Sequence, residues 1–236
     1  MTTLTCPAKV NLYLAILGRD PSGYHLIDTV FVRVPEPADT LEIELAKEFM
    51  FECETLSAEK NSVMKAVRLL EQKSGRKFLY HIRLTKNIPM QSGLGGGSSD
   101  AAALLLYLNR QENLGFTREQ LMELGAQIGM DVPFFLSGYE VARGTHYGEK
   151  ITPLPSLPPS FHIDIGFTNI PVSTKGAFAT WDKRGLQSTA PTFSNDITNN
   201  IHNDFEQIFP DLSFKKINTV LSGSGGAYAI LTSVKA

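Results

Sequence analysis

Pro89-Met90-Gln91-Ser92-Gly93-Leu94-Gly95-Gly96-Gly97-Ser98-Ser99-Asp100 runs without a break into Ala101-Ala102-Ala103-Leu104-Leu105-Leu106. Four glycines, then Ser98 and Ser99, lead straight into a strongly apolar segment. Glycine lets a backbone turn its N–H groups toward a ligand at close range. Ser98 and Ser99 are expected to cap the helix, whose positive dipole end then faces the same concavity. The combination predicts an anion cradle, most commonly occupied by a nucleotide phosphate. The competing reading, a flexible glycine linker, fits poorly beside a helix that is apolar all round, because such a helix has to be buried.

Working outward, Phe78, Tyr80, Ile82 and Leu84 alternate, so a strand enters the loop. Before it, Ser57 to Ser74 reads as a helix with Val63, Ala66, Val67 and Leu70 on one stripe and Gly75 just past its end. Lys9 to Leu17 alternates with period two, which sets Lys9 and Asn11 side by side on one face of a strand. Asp20-Pro21-Ser22-Gly23 is a turn that delivers Tyr24 and His25 into a second strand through Val34. Downstream of the apolar helix, Thr117-Arg118-Glu119-Gln120 forms a capping box for a helix ending at Gly129, and Asp131-Val132-Pro133-Phe134-Phe135 follows.

Four prolines between Pro153 and Pro159 make a stiff connection. The domain boundary is placed there, giving domains 1–152 and 160–236 joined by 153–159. Beyond it come a strand at Phe161 to Phe167, a short helix around Thr174 to Trp181 and a polar loop from Gln187 to Asn200. A second glycine-rich element, Leu221-Ser222-Gly223-Ser224-Gly225-Gly226, closes the series. Strands and helices interleave without regular alternation, so the class is α+β.

The bulk properties exclude several functions. A net charge of −2 over 236 residues argues against a nucleic-acid surface. The longest apolar run, Ala101 to Leu108, is far too short to span a bilayer, and Lys9, Asn11, Arg19 and Asp20 interrupt any N-terminal signal segment. Cys6 and Cys53 have no metal-ligand spacing and make no disulfide framework. The expectation is a cytoplasmic protein with reduced thiols and neither a membrane nor a nucleic-acid partner.

The glycine loop is not a Walker A site, since Gly97 is followed by Ser98 and Ser99 rather than Lys and Ser/Thr. It is not the dinucleotide fingerprint either, because Ser98 stands where the third glycine belongs, and the protein-kinase His-Arg-Asp and Asp-Phe-Gly motifs are absent. Phosphoryl transfer asks for positioning, charge stabilisation and a group to take or orient the acceptor's proton. Asp131 is a carboxylate in apolar company, or simply a turn residue capping Gly129. Lys9 lies on an apolar strand where an ammonium needs a partner, or else blunts a strand edge. Together they suggest a Lys–Asp pair that orients a substrate hydroxyl.

Three stretches resemble the motifs of the GHMP kinases: Pro7-Ala8-Lys9-Val10-Asn11-Leu12, Pro89 to Ala102, and Leu221 to Ala229. Their order and separation match, and the resemblance covers nearly the whole chain. It implies a two-domain α+β fold, with a ribosomal-protein-like N-terminal domain and a ferredoxin-like C-terminal domain in shortened form. Gly18-Arg19-Asp20-Pro21-Ser22-Gly23-Tyr24-His25, the expanded glycine loop, Gly129 to Phe135 and Gly144 to Glu149 narrow it to one branch. That branch phosphorylates the 2-hydroxyl of a cytidine diphosphate methylerythritol with ATP, in the non-mevalonate route to isoprenoids.

The resemblance implies that Lys9 and Asp131 are catalytic, and that Pro89, Met90, Gln91, Ser92, Gly93, Leu94, Gly95, Gly96, Gly97, Ser98 and Ser99 hold the ATP phosphates. Asn61 and Lys86 are candidate contacts near the adenosine, although both also read as solvated surface residues. Asn11, Tyr24, His25, Thr174 and Phe178 are expected at the substrate, with Tyr24 and His25 stacking on and reading the cytosine and Phe178 on its other face. Magnesium is expected with ATP, but no carboxylate cluster identifies its ligands. Asp100 reads as helix-dipole compensation.

Two departures stand out. The chain ends ten residues after Gly226, where relatives carry a further helix, so a compact monomer or a homodimer is expected. Thr168 or Asn169 also stands where the branch has a proline upstream of Val172-Ser173-Thr174. The rival readings are a kinase of the same family acting on a sugar, homoserine or mevalonate, and a non-catalytic nucleotide-binding or RNA-binding relative. Tyr24-His25 counts against the first, and retention of Lys9 and Asp131 against the second.

Overall fold

The computed structural model describes all residues except 56, 169, 171, 195–199, 210–217 and 234–236. Asn169 and the middle of the 187–200 loop therefore lie outside the described residues. The class is α+β, as the interleaving pattern predicts. The chain divides into two compact units that do not follow linear order. The first holds Met1–Ala8, Pro35–Pro89 and Gly95–Gly138, and the second holds Lys9–Val34, Met90–Leu94 and Tyr139–Ala236. The proline-rich 153–159 segment belongs wholly to the second.

The first unit contains the start of β1 (Thr2–Arg19) and the end of β2 (His25–Leu45), with β3 (Met50–Glu52) and β4 (Tyr80–Thr85). Thr40 to Leu45 of β2 pairs antiparallel with Tyr80 to Thr85, while β3 runs parallel to β4. The inward residues Leu41, Ile43, Tyr80, Ile82 and Leu84 are all buried. Four helices join this sheet: α1 (Ser62–Ser74), α2 (Gly96–Gln111), α3 (Arg118–Ala126) and α4 (Val132–Ser137). The predicted first helix is shorter than expected, because a separate 3-10 turn occupies Ala58–Lys60 and Asn61 caps α1 by accepting from the Val63 N–H. Gly75 ends it in the left-handed conformation, φ 68°. The capping box at Thr117 and Gln120 forms as read, but α3 stops at Ala126 rather than Gly129.

Two expectations about α2 need correction. Its N-cap is Gly95, with φ 72°, and no side chain caps it. Ser98 and Ser99 sit inside the first turn, where their N–H groups reach back to the Gly95 carbonyl at 2.9 Å. A left-handed cap requires glycine more than it requires a hydroxyl. The helix is also not buried all round: Ala101, Ala102, Leu104, Leu105 and Leu108 are buried, whereas Leu106 is exposed.

The second unit contains β1 from Lys9 to its end and the first half of β2, with β5 (Val141–His146), β6 (Lys150–Pro153), β7 (Phe161–Phe167), α5 (Thr174–Lys183), β8 (His202–Asn203), β9 (Thr219–Leu221) and β10 (Ala227–Ser233). Ile27 to Val32 pairs antiparallel with β5, and Tyr13 and Leu14 pair with β8. A separate antiparallel sheet has the order β7-β10-β9. Leu14, Ile16, Ala177, Trp181, Phe205, Ile208 and Leu221 form this unit's core.

Candidate active site

In the second unit, the N-terminal strand and the two glycine elements meet around one carbonyl. Gly93 has φ 79°, and a Cβ there would overlap the Ser222 carbonyl and lie 2.9 Å from that of Gly225. Only glycine allows the two backbones to pass so closely. The Gly93 carbonyl accepts from Lys9 Nζ at 2.8 Å and from Ser222 Oγ at 3.1 Å, while the Lys9 N–H donates to the Leu94 carbonyl at 2.9 Å. Thus the first and third motifs both hold the entry of the second.

Lys9 and Asn11 do lie side by side, each only 2% exposed, so Lys9 is not a strand-edge lysine. Lys9 Nζ donates to Asn11 Oδ1 at 2.5 Å, and Asn11 Nδ2 donates to Thr29 Oγ1 at 2.7 Å. The Thr29 hydroxyl donates in turn to the Tyr13 carbonyl at 2.7 Å. Asn11 is therefore engaged at both ends of its amide, and this chain fixes the ammonium. The Phe31 ring lies 5.5 Å from Nζ, within reach of a cation–π contact.

The aromatic group gathers in the same unit. Tyr24 is 60% exposed and packs at 5.3 Å on Tyr147, whose hydroxyl donates to Asp20. His25 stacks face to face on Phe178 at 4.2 Å, and its Nε2 meets Asp182 Oδ1 at 2.8 Å. Thr174 Oγ1 lies 3.2 Å from Ser224 Oγ, at the third motif. Tyr147 sits in the Gly144 to Glu149 stretch and is readable there, but nothing in the sequence marks Asp182.

In the first unit, the turn bearing Asp131 lies beside the start of α2. The Cβ position of Gly129 is 3.6 Å from Ser98 Oγ. Asp131 occupies the N-cap position of α4 and makes no side-chain capping bond to that helix. Asn61 is 2% exposed; its Oδ1 serves the cap of α1, and its Nδ2 has no hydrogen-bond partner among the described residues. Lys86 is not a solvated surface lysine. Its ammonium donates to Asp39 and, at 2.8 Å, to Asp100 Oδ2. Asp100 is therefore the partner of Lys86 rather than a solvated dipole charge. Burial outweighs the neighbouring ammonium and pushes its carboxyl up to about 7. Burial and the adjacent Asp100 carboxylate also drive the Cys6 thiol well above its ordinary value, so it is not a nucleophile.

A glycine loop gripped by a lysine strand and a second glycine turn, on an α+β fold, defines a small-molecule kinase of the GHMP class. Residues 61–139 match the GHMP kinases N terminal domain. The mevalonate kinase of Methanococcus jannaschii shares the fold, with a TM-score of 0.68 at 14% identity, over 98% of this chain and 90% of that one. Within the class, the chain is 39% identical over 213 residues to the 4-diphosphocytidyl-2-C-methyl-D-erythritol kinase of Nitrosospira multiformis, covering 87% of this chain and 70% of that one. The Chromobacterium violaceum enzyme of the same name is 37% identical over 223 residues, covering 92% and 77%. A crystal structure of 4-(cytidine 5'-diphospho)-2C-methyl-D-erythritol kinase superposes with a TM-score of 0.74 at 28% identity, over 100% of this chain and 91% of that one. The chain belongs to the 4-diphosphocytidyl-2-C-methyl-D-erythritol kinase family.

Proposed function

We propose that this protein transfers the γ-phosphoryl group of ATP to the 2-hydroxyl of 4-diphosphocytidyl-2-C-methyl-D-erythritol, a step toward isoprenoid precursors. The observation that carries the reading is the convergence of Lys9, Ser222 and Gly93 at the entry of a loop that ends in a helix N-terminus. Helix first turns leave N–H groups without intrahelical acceptors, and in α2 those of Gly96 and Gly97, ahead of the Ser98 and Ser99 N–H groups that bond the Gly95 carbonyl, receive the phosphates. The unpartnered Nδ2 of Asn61 supports a contact on the nucleoside side. Lys86 acts there through the loop's base rather than by a free ammonium.

Asp131 accepts the proton of the substrate hydroxyl as its oxygen attacks the γ-phosphorus and the bond to the bridging oxygen breaks, releasing ADP. Lys9 orients that hydroxyl and offsets developing charge, with Asn11 holding Lys9 in place. Tyr24, His25, Thr174 and Phe178 take the cytidine end. The Tyr24 ring is exposed and braced from behind by Tyr147, which suits a stacking platform.

Magnesium, expected with ATP, would offset the charge of its phosphates. Among the described residues no group of three His, Cys, Asp or Glu is arranged to hold a metal ion, and Asp100 is committed to Lys86. The described donors fit the ion poorly, and no step here runs through it. No described helix is long and apolar enough to cross a membrane, and we infer a cytoplasmic enzyme acting on a small molecule. The test is ADP release against four acceptors: the cytidine diphosphate methylerythritol, mevalonate, galactose and homoserine. Turnover with the first alone is expected; turnover with any other in its place overturns the reading.

A further inference from the structure

The loop's two stems are tied together by one side chain that the reaction itself does not use. Asp39, on β2, is completely buried. Its Oδ1 accepts from the Asn87 N–H at 2.6 Å and the Ile88 N–H at 2.8 Å, just before Pro89. Its Oδ2 accepts from Lys86, whose ammonium also reaches Asp100 on the first turns of α2. On the far side of the loop, a Cβ at Gly96 would stand 2.9 Å from the same Oδ2 and 3.0 Å from the Ile88 side chain. Gly96 is thus required by close approach to Asp39, not by its own backbone conformation, which is helical.

We propose that Asp39 is a positioning residue for phosphoryl transfer: its carboxylate locks residues 86–88 against the beginning of α2 and so aligns the N–H groups that receive the ATP phosphates. Stability alone does not account for the arrangement. Two buried carboxylates around a single lysine cost desolvation that an apolar packing avoids. What the trio supplies is a fixed distance between the strand that enters the loop and the helix that leaves it. Preorganised donors of this kind act without reorganisation when charge develops.

The inference rests on the nucleotide reading above, but not on the identity of the acceptor. The test is calorimetric titration of the purified protein with AMPPNP, and separately with CDP as a probe of the acceptor end. Asp39→Asn keeps an oxygen for the Asn87 and Ile88 N–H groups and removes the charge facing Lys86. We expect AMPPNP to bind roughly tenfold more weakly, and CDP unchanged within about twofold. Gly96→Ala improves helix propensity, yet it presses a methyl group on the same carboxylate and should show the same selective loss. It decides the matter if Asp39→Asn does not fold. Wild-type AMPPNP affinity in a folded variant, or equal weakening of AMPPNP and CDP, overturns the proposal. A wild-type protein that binds CDP but no AMPPNP overturns the nucleotide reading itself.

Discussion

Among the described residues, the side chains of Lys86 and Lys9, one in each compact unit, are both shielded from solvent, and their surroundings differ. Lys86 donates to two carboxylates, Asp39 and Asp100, at the base of the glycine loop. Lys9 is steered by an amide oxygen and a loop carbonyl, those of Asn11 and Gly93. An ammonium bracketed by two acids is committed to holding structure. One that donates to the Gly93 carbonyl of the loop is placed for the catalytic role proposed above. The difference teaches that burial of a lysine is not by itself a sign of catalysis; where its bonds lead matters as well.

The sharpest way to break this contrast is to remove each charge in turn. Lys9→Ala and Asp131→Asn should each lower turnover by about 10³-fold or more while ATP binding persists. Wild-type turnover in steady-state assays would return either residue to a structural role. Lys86→Ala should act on folding instead, because it leaves two carboxylates buried without their ammonium, at a cost of roughly 3–5 kcal/mol. Urea unfolding reads this directly, and an unchanged midpoint would show that the trio holds nothing.

A finer test uses pH. The Asp100 carboxyl titrates near 7 in the folded protein, against an ordinary value of 3.8, with burial as the main cause. The folded state then keeps a proton that the unfolded chain releases between these values, so this group's contribution to stability declines as pH rises from about 4 to about 7. Asp100→Asn should flatten that slope in thermal melts, and a slope equal to wild type would remove Asp100 as its source. The smallest effect is expected at the surface. Tyr24→Ala should raise KM for the cytidine substrate by roughly three- to tenfold with little change in kcat. An undiminished affinity would dismiss the stacking platform.

Much of the site was legible because it is local. The glycine loop, the period-two pairing of Lys9 with Asn11 and the Thr117 capping box are all short-range patterns, and the structure forms each of them. The errors also have local causes. Hydroxyl preference predicts serine caps, whereas the left-handed turn at Gly95 decides the cap. Asp100 looks like a dipole charge in the sequence because its partner Lys86 lies fourteen positions upstream and meets it only through the fold. Asp39 carried no signal at all, being one acid in a strand. Asn203 was equally silent, although its Nδ2 donates to the Leu221 and Gly223 carbonyls at 2.7 and 2.8 Å and braces the third motif.

Taken by itself, the order of residues determined most of the elements, the glycine loop and the kind of chemistry proposed for it, because turn conformation and side-chain alternation depend on neighbours a few positions away. Tertiary structure alone decided which buried charges meet: Lys86 with Asp39 and Asp100, and Lys9 with Gly93. Ion pairs and hydrogen bonds act over a few ångströms of space, and residues 39 and 86, or 9 and 93, come within that range only once the chain has folded.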